Sequence, residues 1–87
     1  MKKVIVKRGS EILLDFSIED ENVSRIKIKT VRETPQLLEQ LNDPDYNYTV
    51  LGYEPLFHRG TAIELYLYNG SDYASFFFNP SCTIEFK

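Results

Sequence analysis

Thr61-Ala62-Ile63-Glu64-Leu65-Tyr66-Leu67-Tyr68-Asn69-Gly70-Ser71-Asp72-Tyr73-Ala74-Ser75-Phe76-Phe77-Phe78 is the stretch that decides the fold class. Ile63, Leu65 and Leu67 alternate with Glu64, Tyr66 and Tyr68. Past Asn69-Gly70, Ala74, Phe76 and Phe78 alternate with Tyr73, Ser75 and Phe77. A period of two is the strand period, because successive side chains leave a strand on opposite faces. Asn-Gly accepts the positive φ angles of a tight hairpin. A two-residue and a four-residue loop there leave the same side chains on the same faces. The run therefore predicts a hairpin with one apolar face and one face of Glu64, Tyr66, Tyr68, Tyr73, Ser75 and Phe77.

The same arithmetic extends outward. Asn79-Pro80-Ser81 predicts a second turn, after which Cys82, Ile84 and Phe86 alternate with Thr83, Glu85 and Lys87. Pairing Phe78 with Cys82 sets Phe76 opposite Ile84 and Ala74 opposite Phe86, which completes a C-terminal three-stranded meander. At the other end, a three-residue loop at Arg8-Gly9-Ser10 sets Val6 against Ile12 and Val4 against Leu14, with Lys7 beside Glu11 and Lys3 beside Asp15. A two-residue loop at Gly9-Ser10 would oppose Val4 and Asp15. A one-residue slip flips every side chain, so the three-residue loop is the expectation. Ile26 and Ile28 alternate with Arg25, Lys27 and Lys29 in a third N-terminal strand.

Between the meanders, Thr34 can cap a helix that Pro35 starts, since the first helical position needs no N–H donor. Leu37, Leu38 and Leu41 give it an apolar stripe, and Asn42-Asp43-Pro44-Asp45 ends it. Gly52 predicts a bulge or a close backbone approach, and Pro55 confines its stretch to an edge or a break. The expected fold is α+β and mostly antiparallel β. It comprises two three-stranded meanders (about 2–31 and 61–87), one short helix (about 35–41) and an irregular strand (about 46–57). How the sheets are arranged, as one sheet, a sandwich or a partial barrel, is left open.

Composition agrees. Val, Ile and Thr total 17 while Ala occurs twice, which favours strands. The 87 residues suit one domain, 1–87. A chain of this size buries about 64% of the surface its unfolded form exposes, enough for one thin core. Eight of ten Lys and Arg precede residue 45, and eleven of twelve aromatics follow it. Neither half carries enough apolar surface to stand alone.

Several function classes are excluded or weakened. One Cys and one His cannot form an internal disulfide or a His/Cys zinc site. The four glycines are scattered and none opens a helix, so no phosphate cradle is expected. No apolar run approaches a membrane span or a signal-peptide core. A cytoplasmic protein without metal or cofactor is the default expectation. His58 and Cys82 could pair as base and nucleophile, but Cys82 alternates in phase with Ile84 and Phe86, which buries it, whereas reactive thiols are partly exposed. Glu64 and Glu85 are expected to share an outer sheet face with Ser75 between them, where water would solvate both. Glu19-Asp20-Glu21 lacks the spacing of a calcium loop and reads as a solvated turn.

Three surfaces are left. Tyr66, Tyr68, Tyr73 and Phe77 lie opposite the core face, with Tyr53 in the irregular strand before them. Aromatic residues concentrate at the desolvated centres of interfaces. Unless a second layer of this chain covers them, four such rings make a docking face. Arg25, Lys27 and Lys29, with Arg32 shortly after, could track a phosphate backbone, but no aromatic interleaves with them in sequence. Arg59 could anchor a small ligand in a pocket lined by Tyr46 and Tyr48. The leading expectation is a non-enzymatic protein-binding module or small inhibitor, of the kind phages and mobile elements use against host enzymes. Its partner would be another protein or a second copy. Nucleic acid is the less favoured partner, and a Tyr-lined ligand pocket the third reading.

Overall fold

The computed structural model describes every residue except Met1, Asn47, Tyr53 and Glu54. The chain is mostly antiparallel β with one short helix. Its elements are β1 (Lys3–Arg8), β2 (Glu11–Ser17), β3 (Arg25–Arg32), α1 (Pro35–Leu41), β4 (Thr49–Val50), β5 (Thr61–Asn69), β6 (Asp72–Phe78) and β7 (Thr83–Phe86). Two sheets form, a three-stranded sheet A in the order β2-β1-β7 and a four-stranded sheet B in the order β3-β5-β6-β4.

The two expected meanders therefore do not exist as drawn. Each gives its third strand to the other sheet. β3 pairs with β5, not with β2, and β7 pairs with β1, not with β6. The expected pairs Phe76–Ile84 and Ala74–Phe86 are replaced by Val6–Ile84 and Val4–Phe86. The corner at Asn79 makes the second crossing. The Asn79 side chain accepts from the Ser81 N–H (2.8 Å) and hydroxyl (2.7 Å), and it donates to the Pro55 carbonyl (2.8 Å). With Pro80 unable to donate to a ladder, the chain leaves sheet B there rather than folding back on β6. A side-chain-stabilised turn at one residue thus overrides the apparent hairpin.

The exchange buries both apolar faces against each other. Val4 and Val6 of sheet A meet Leu65, Leu67, Phe76 and Phe78 of sheet B in one buried cluster, with Leu14, Phe16, Ile18, Ile26, Ile63, Ala74, Cys82 and Ile84 around it. The β5–β6 hairpin keeps its expected faces, pairing Leu65 with Phe76, Leu67 with Ala74 and Tyr68 with Tyr73.

The first hairpin resolves its register differently from expectation. Arg8 pairs with Glu11 across Gly9-Ser10, the rejected two-residue loop, and a bulge between Val6 and Lys7 then shifts the register. Val4 faces Phe16 and Val6 faces Leu14. The bulge places one extra β2 residue, Leu13, outside the pairing, which restores the apolar phase that the two-residue loop would have broken. Ile12 then turns outward and is 55% exposed. Lys3 still reaches Asp15 (3.8 Å), but Lys7 bonds Glu85 (3.3 Å) in β7, and Glu11 is taken by Arg8 (2.9 Å).

The helix forms as expected, with the Thr34 hydroxyl accepting from the Leu37 N–H and Pro35 in the first turn. It lies on the far side of sheet B, where Leu37 and Leu41 pack against Leu56, Ala62 and Phe77; Leu38 stays exposed. Among the described residues of the expected irregular strand only β4 is regular, and it runs parallel to β6. Gly52 (φ +84°) makes the predicted close approach, since a Cβ there would stand 3.1 Å from Leu13 Cδ1. No helix among the described residues is long and apolar enough to cross a membrane.

Candidate functional site

The outer face of sheet B follows from two registers. β3 and β5 pair Arg25 with Tyr68, Lys27 with Tyr66 and Lys29 with Glu64. β5 and β6 pair Tyr68 with Tyr73, Tyr66 with Ser75 and Glu64 with Phe77. Side chains on one face of adjacent strands are neighbours, so three rows result: Arg25–Tyr68–Tyr73, Lys27–Tyr66–Ser75 and Lys29–Glu64–Phe77. The basic row and the tyrosine cluster, expected as separate candidate sites, are one surface. The aromatics missing beside the cations in sequence stand on the neighbouring strand in space. Arg32 does not share this face; it alternates to the other side of β3.

The rings form a closed triangle. Tyr66–Tyr68, Tyr66–Tyr73 and Tyr68–Tyr73 have centroids 5.8, 5.4 and 5.6 Å apart. The Arg25 guanidinium carbon lies 4.1 Å from the Tyr68 centroid, and Lys27 Nζ and Lys29 Nζ lie 5.7 and 5.9 Å from that of Tyr66. Cations at these distances are attracted by the negative ring faces. Tyr73 is 56% exposed, and Tyr66 and Tyr68 are half-buried. Phe77 belongs elsewhere. It is 5% exposed beneath α1 and meets the Tyr48 ring edge-on at 5.7 Å. The aromatic face is thus divided, with the Phe77 end covered by the helix and the tyrosine end open. Tyr53 lies outside the described residues.

Glu64 ties the two ends together. Its residue is only 7% exposed, contrary to the solvated carboxylate expected on an open sheet. Its Oε2 accepts from the Ser75 hydroxyl at 2.9 Å, and Lys29 Nζ stands 3.7 Å from Oε1. Burial, then the hydrogen bond to Glu64 and its charge, push the Tyr66 phenol far above its usual pKa. A buried carboxylate with these partners orients the groups around it. Glu85, expected to share the face, sits in sheet A instead, where Lys7, by hydrogen bond and charge, holds its carboxyl below the ordinary value.

Between α1 and this face runs a cleft of about 370 Å³. Tyr46 and Tyr48 line it as expected, together with Tyr66, Tyr73 and Phe77. Arg59 does not. It occupies the His58–Thr61 turn with φ +54°, away from the cleft lining. Among the described residues the charged groups that line the cleft are Asp45 and Glu64, so an anion anchored by arginine is not what the cleft suits. Of the other sequence candidates, His58 is exposed in its turn, and burial raises the Cys82 thiol above its ordinary pKa, which works against thiolate chemistry. No cluster of metal-ligating side chains occurs among the described residues.

Comparisons with known protein families, curated proteins and solved structures find no match for this chain, so function has to be read from the surface itself.

Proposed function

We propose that the chain is a non-enzymatic protein-binding module that docks its partner on the open end of the outer face of sheet B. Tyr68 and Tyr73 form the centre of the docking surface, and Arg25 and Lys27 form one flank. One observation carries this reading: three mutually packed tyrosines, Tyr73 exposed and Tyr66 and Tyr68 half-buried, have cations placed against their rings. Tyr and Arg are the residue types enriched at interface hot spots. The rings are already fixed by one another and by Glu64, so binding would cost little side-chain entropy. Such a module acts by occupying a surface, as a small inhibitor of a larger enzyme does.

Nucleic-acid binding gains from the same ladder, because basic residues beside aromatic rings are what single-strand platforms use. The protein reading is preferred on geometry. Arg25 and Lys27 lie over the ring faces on which bases would stack, and the adjoining cleft presents Asp45 and Glu64 to a polyanion.

The test is affinity capture with the wild type and with the Tyr68→Thr/Tyr73→Thr double variant, melting temperatures being compared first. A protein retained by the wild type and lost by the folded variant supports the reading. Recovery of nucleic acid in its place, released by moderate salt, transfers it to the second reading, and equal retention of the same protein by both overturns it.

A further inference from the structure

The four sheet edges differ in a way that singles out β3. Protein sheets blunt their edges with short strands, bulges or proline, since an open edge invites pairing. β4 has two residues and β7 four. β2 is longer but carries the bulge opposite Val6 and Lys7. β3 has eight residues, no Gly or Pro, and an uninterrupted register with β5 along its whole length. Among the described residues its other edge has no strand beside it. Roughly half of its backbone N–H and C=O groups point that way.

Its two faces are both patterned. On the outer face Arg25, Lys27 and Lys29 recur at a spacing of about 6.8 Å, two strand residues apart. The rings of Tyr68 and Tyr66 stand against these cations, and among the described residues only Lys29 is partly neutralised, by Glu64 at 3.7 Å. On the inner face Ile26 is half-buried, and Ile28 is 44% exposed at the margin of the core. Lysines alone would guard an edge against pairing. An apolar margin beside them does the opposite.

We propose that β3 is an acceptor edge, adding as a fifth strand of sheet B an extended partner segment with carboxylates at alternate positions and apolar residues between them. The carboxylates would stand beside Arg25, Lys27 and Lys29. The apolar residues would extend the core past Ile26 and Ile28, and backbone pairing would supply the rest. Alternation reads the same in both chain directions, so the match holds for either strand orientation. The proposal rests on the docking reading above and specifies the partner's chemistry.

The probe is a capped, fluorescently labelled peptide of alternating Asp and Val, about as long as β3, titrated by anisotropy at physiological salt. The expected result is saturable binding that a scrambled peptide of the same composition does not show. N-methylation of the peptide amides on both edges should abolish binding, whereas on one edge alone it leaves the opposite strand orientation able to pair. Arg25→Glu with Lys27→Glu should weaken binding at least about tenfold, as expected for the loss of two cross-strand ion pairs, and should create affinity for the Lys-Val counterpart. Lys29 stays unchanged in that variant because it faces buried Glu64. Equal binding of the scrambled peptide, indifference to N-methylation, or tighter binding of an oligothymidylate at the same salt each overturns the proposal. The N-methylation result needs no variant, so it decides the matter even if the charge reversal unfolds the protein. If the captured partner is lost by the Tyr68→Thr/Tyr73→Thr variant but the alternating peptide does not bind, docking stands and strand addition falls. If the peptide binds and no partner depends on the tyrosines, the reverse holds.

Discussion

Phe77 and Tyr73 stand on the same strand and the same face of sheet B, and truncating each tests whether that face is divided as described. Phe77→Ala removes a ring that is 5% exposed and packed under Leu37, Leu41 and Tyr48. Phe→Ala changes in cores cost about 3–5 kcal/mol, of which part is the cavity left behind. Phe77 also lines the cleft, so its removal widens a space that water already reaches, and the cost belongs at the low end, about 3 kcal/mol. Tyr73 is 56% exposed. Burying a whole large side chain is worth about 1.5–3 kcal/mol, and rather less than half of that applies here, about 1 kcal/mol. Tyr73→Thr keeps strand propensity, so little is lost through the backbone. A domain of 60–100 residues loses roughly 4–8 °C of melting temperature per kcal/mol. The expected shifts are therefore roughly 12–24 °C for Phe77→Ala and 4–8 °C for Tyr73→Thr. Thermal unfolding followed by circular dichroism measures both, and urea unfolding checks that the slope is unchanged. Equal losses would mean that the tyrosine end is as covered as the Phe77 end, and would refute the proposed docking surface.

Three further outcomes follow from the same geometry. Ser75→Ala removes the hydroxyl that donates to buried Glu64 and should cost about 1.5–3 kcal/mol in urea unfolding, the range for a hydrogen bond to a charged group; a loss under 0.5 kcal/mol would show that Glu64 does not depend on it. Gly52→Ala should destabilise by more than about 1 kcal/mol, because φ +84° suits glycine and the new Cβ would meet Leu13 Cδ1 at 3.1 Å; a neutral effect would place the Gly52 backbone elsewhere. The Tyr66 phenol has a raised folded pKa, so the stability it contributes is complete below the ordinary value of 10.0 and is lost as pH rises past it towards the folded value. Chemical unfolding at stepped alkaline pH should show that decline, and Tyr66→Phe should flatten it; an unchanged slope in Tyr66→Phe would locate the effect at another group.

Much of the fold was legible because alternation fixes faces. The β5–β6 hairpin, the helix with its Thr34 cap and Pro35 start, and the tight approach at Gly52 all follow from local chemistry. Strand partners beyond the hairpins did not follow. A turn such as Asn79-Pro80-Ser81 looks the same whether the next strand folds back or crosses to another sheet. What separates the two is whether the next strand completes a second layer. Here Val4 and Val6 need cover on both sides of β1, and β2 with β7 supplies it. The bulge in β2 was hidden for a related reason. Local pairing chemistry penalises the two-residue loop, and only the extra Leu13 repairs the phase.

The site was legible as parts and not as a whole, and the reason lies in the strand exchange. Read as members of separate meanders, the cations of β3 and the tyrosines of β5 have no relation. Their complementarity was nevertheless present in the letters. Running residues 25–32 antiparallel to residues 61–68 sets Ile26 on Leu67, Ile28 on Leu65 and Lys29 on Glu64 without one apolar–charged clash on the inner face. Eight consecutive compatible pairs outweigh a short connection as evidence of neighbours, because each mismatch avoided is a buried charge avoided. The same pairing explains why Glu64 can be buried at all. It needs Lys29 on one side, Ser75 on the other and the tyrosine hydroxyl above, and only the order β3-β5-β6 brings all three to it. The strand order that completes the core is therefore also what assembles the tyrosine and cation surface, so a substitution that disturbs the β3–β5 pairing should act on stability and on the proposed docking together, whereas substitutions at Tyr68 and Tyr73 should separate them.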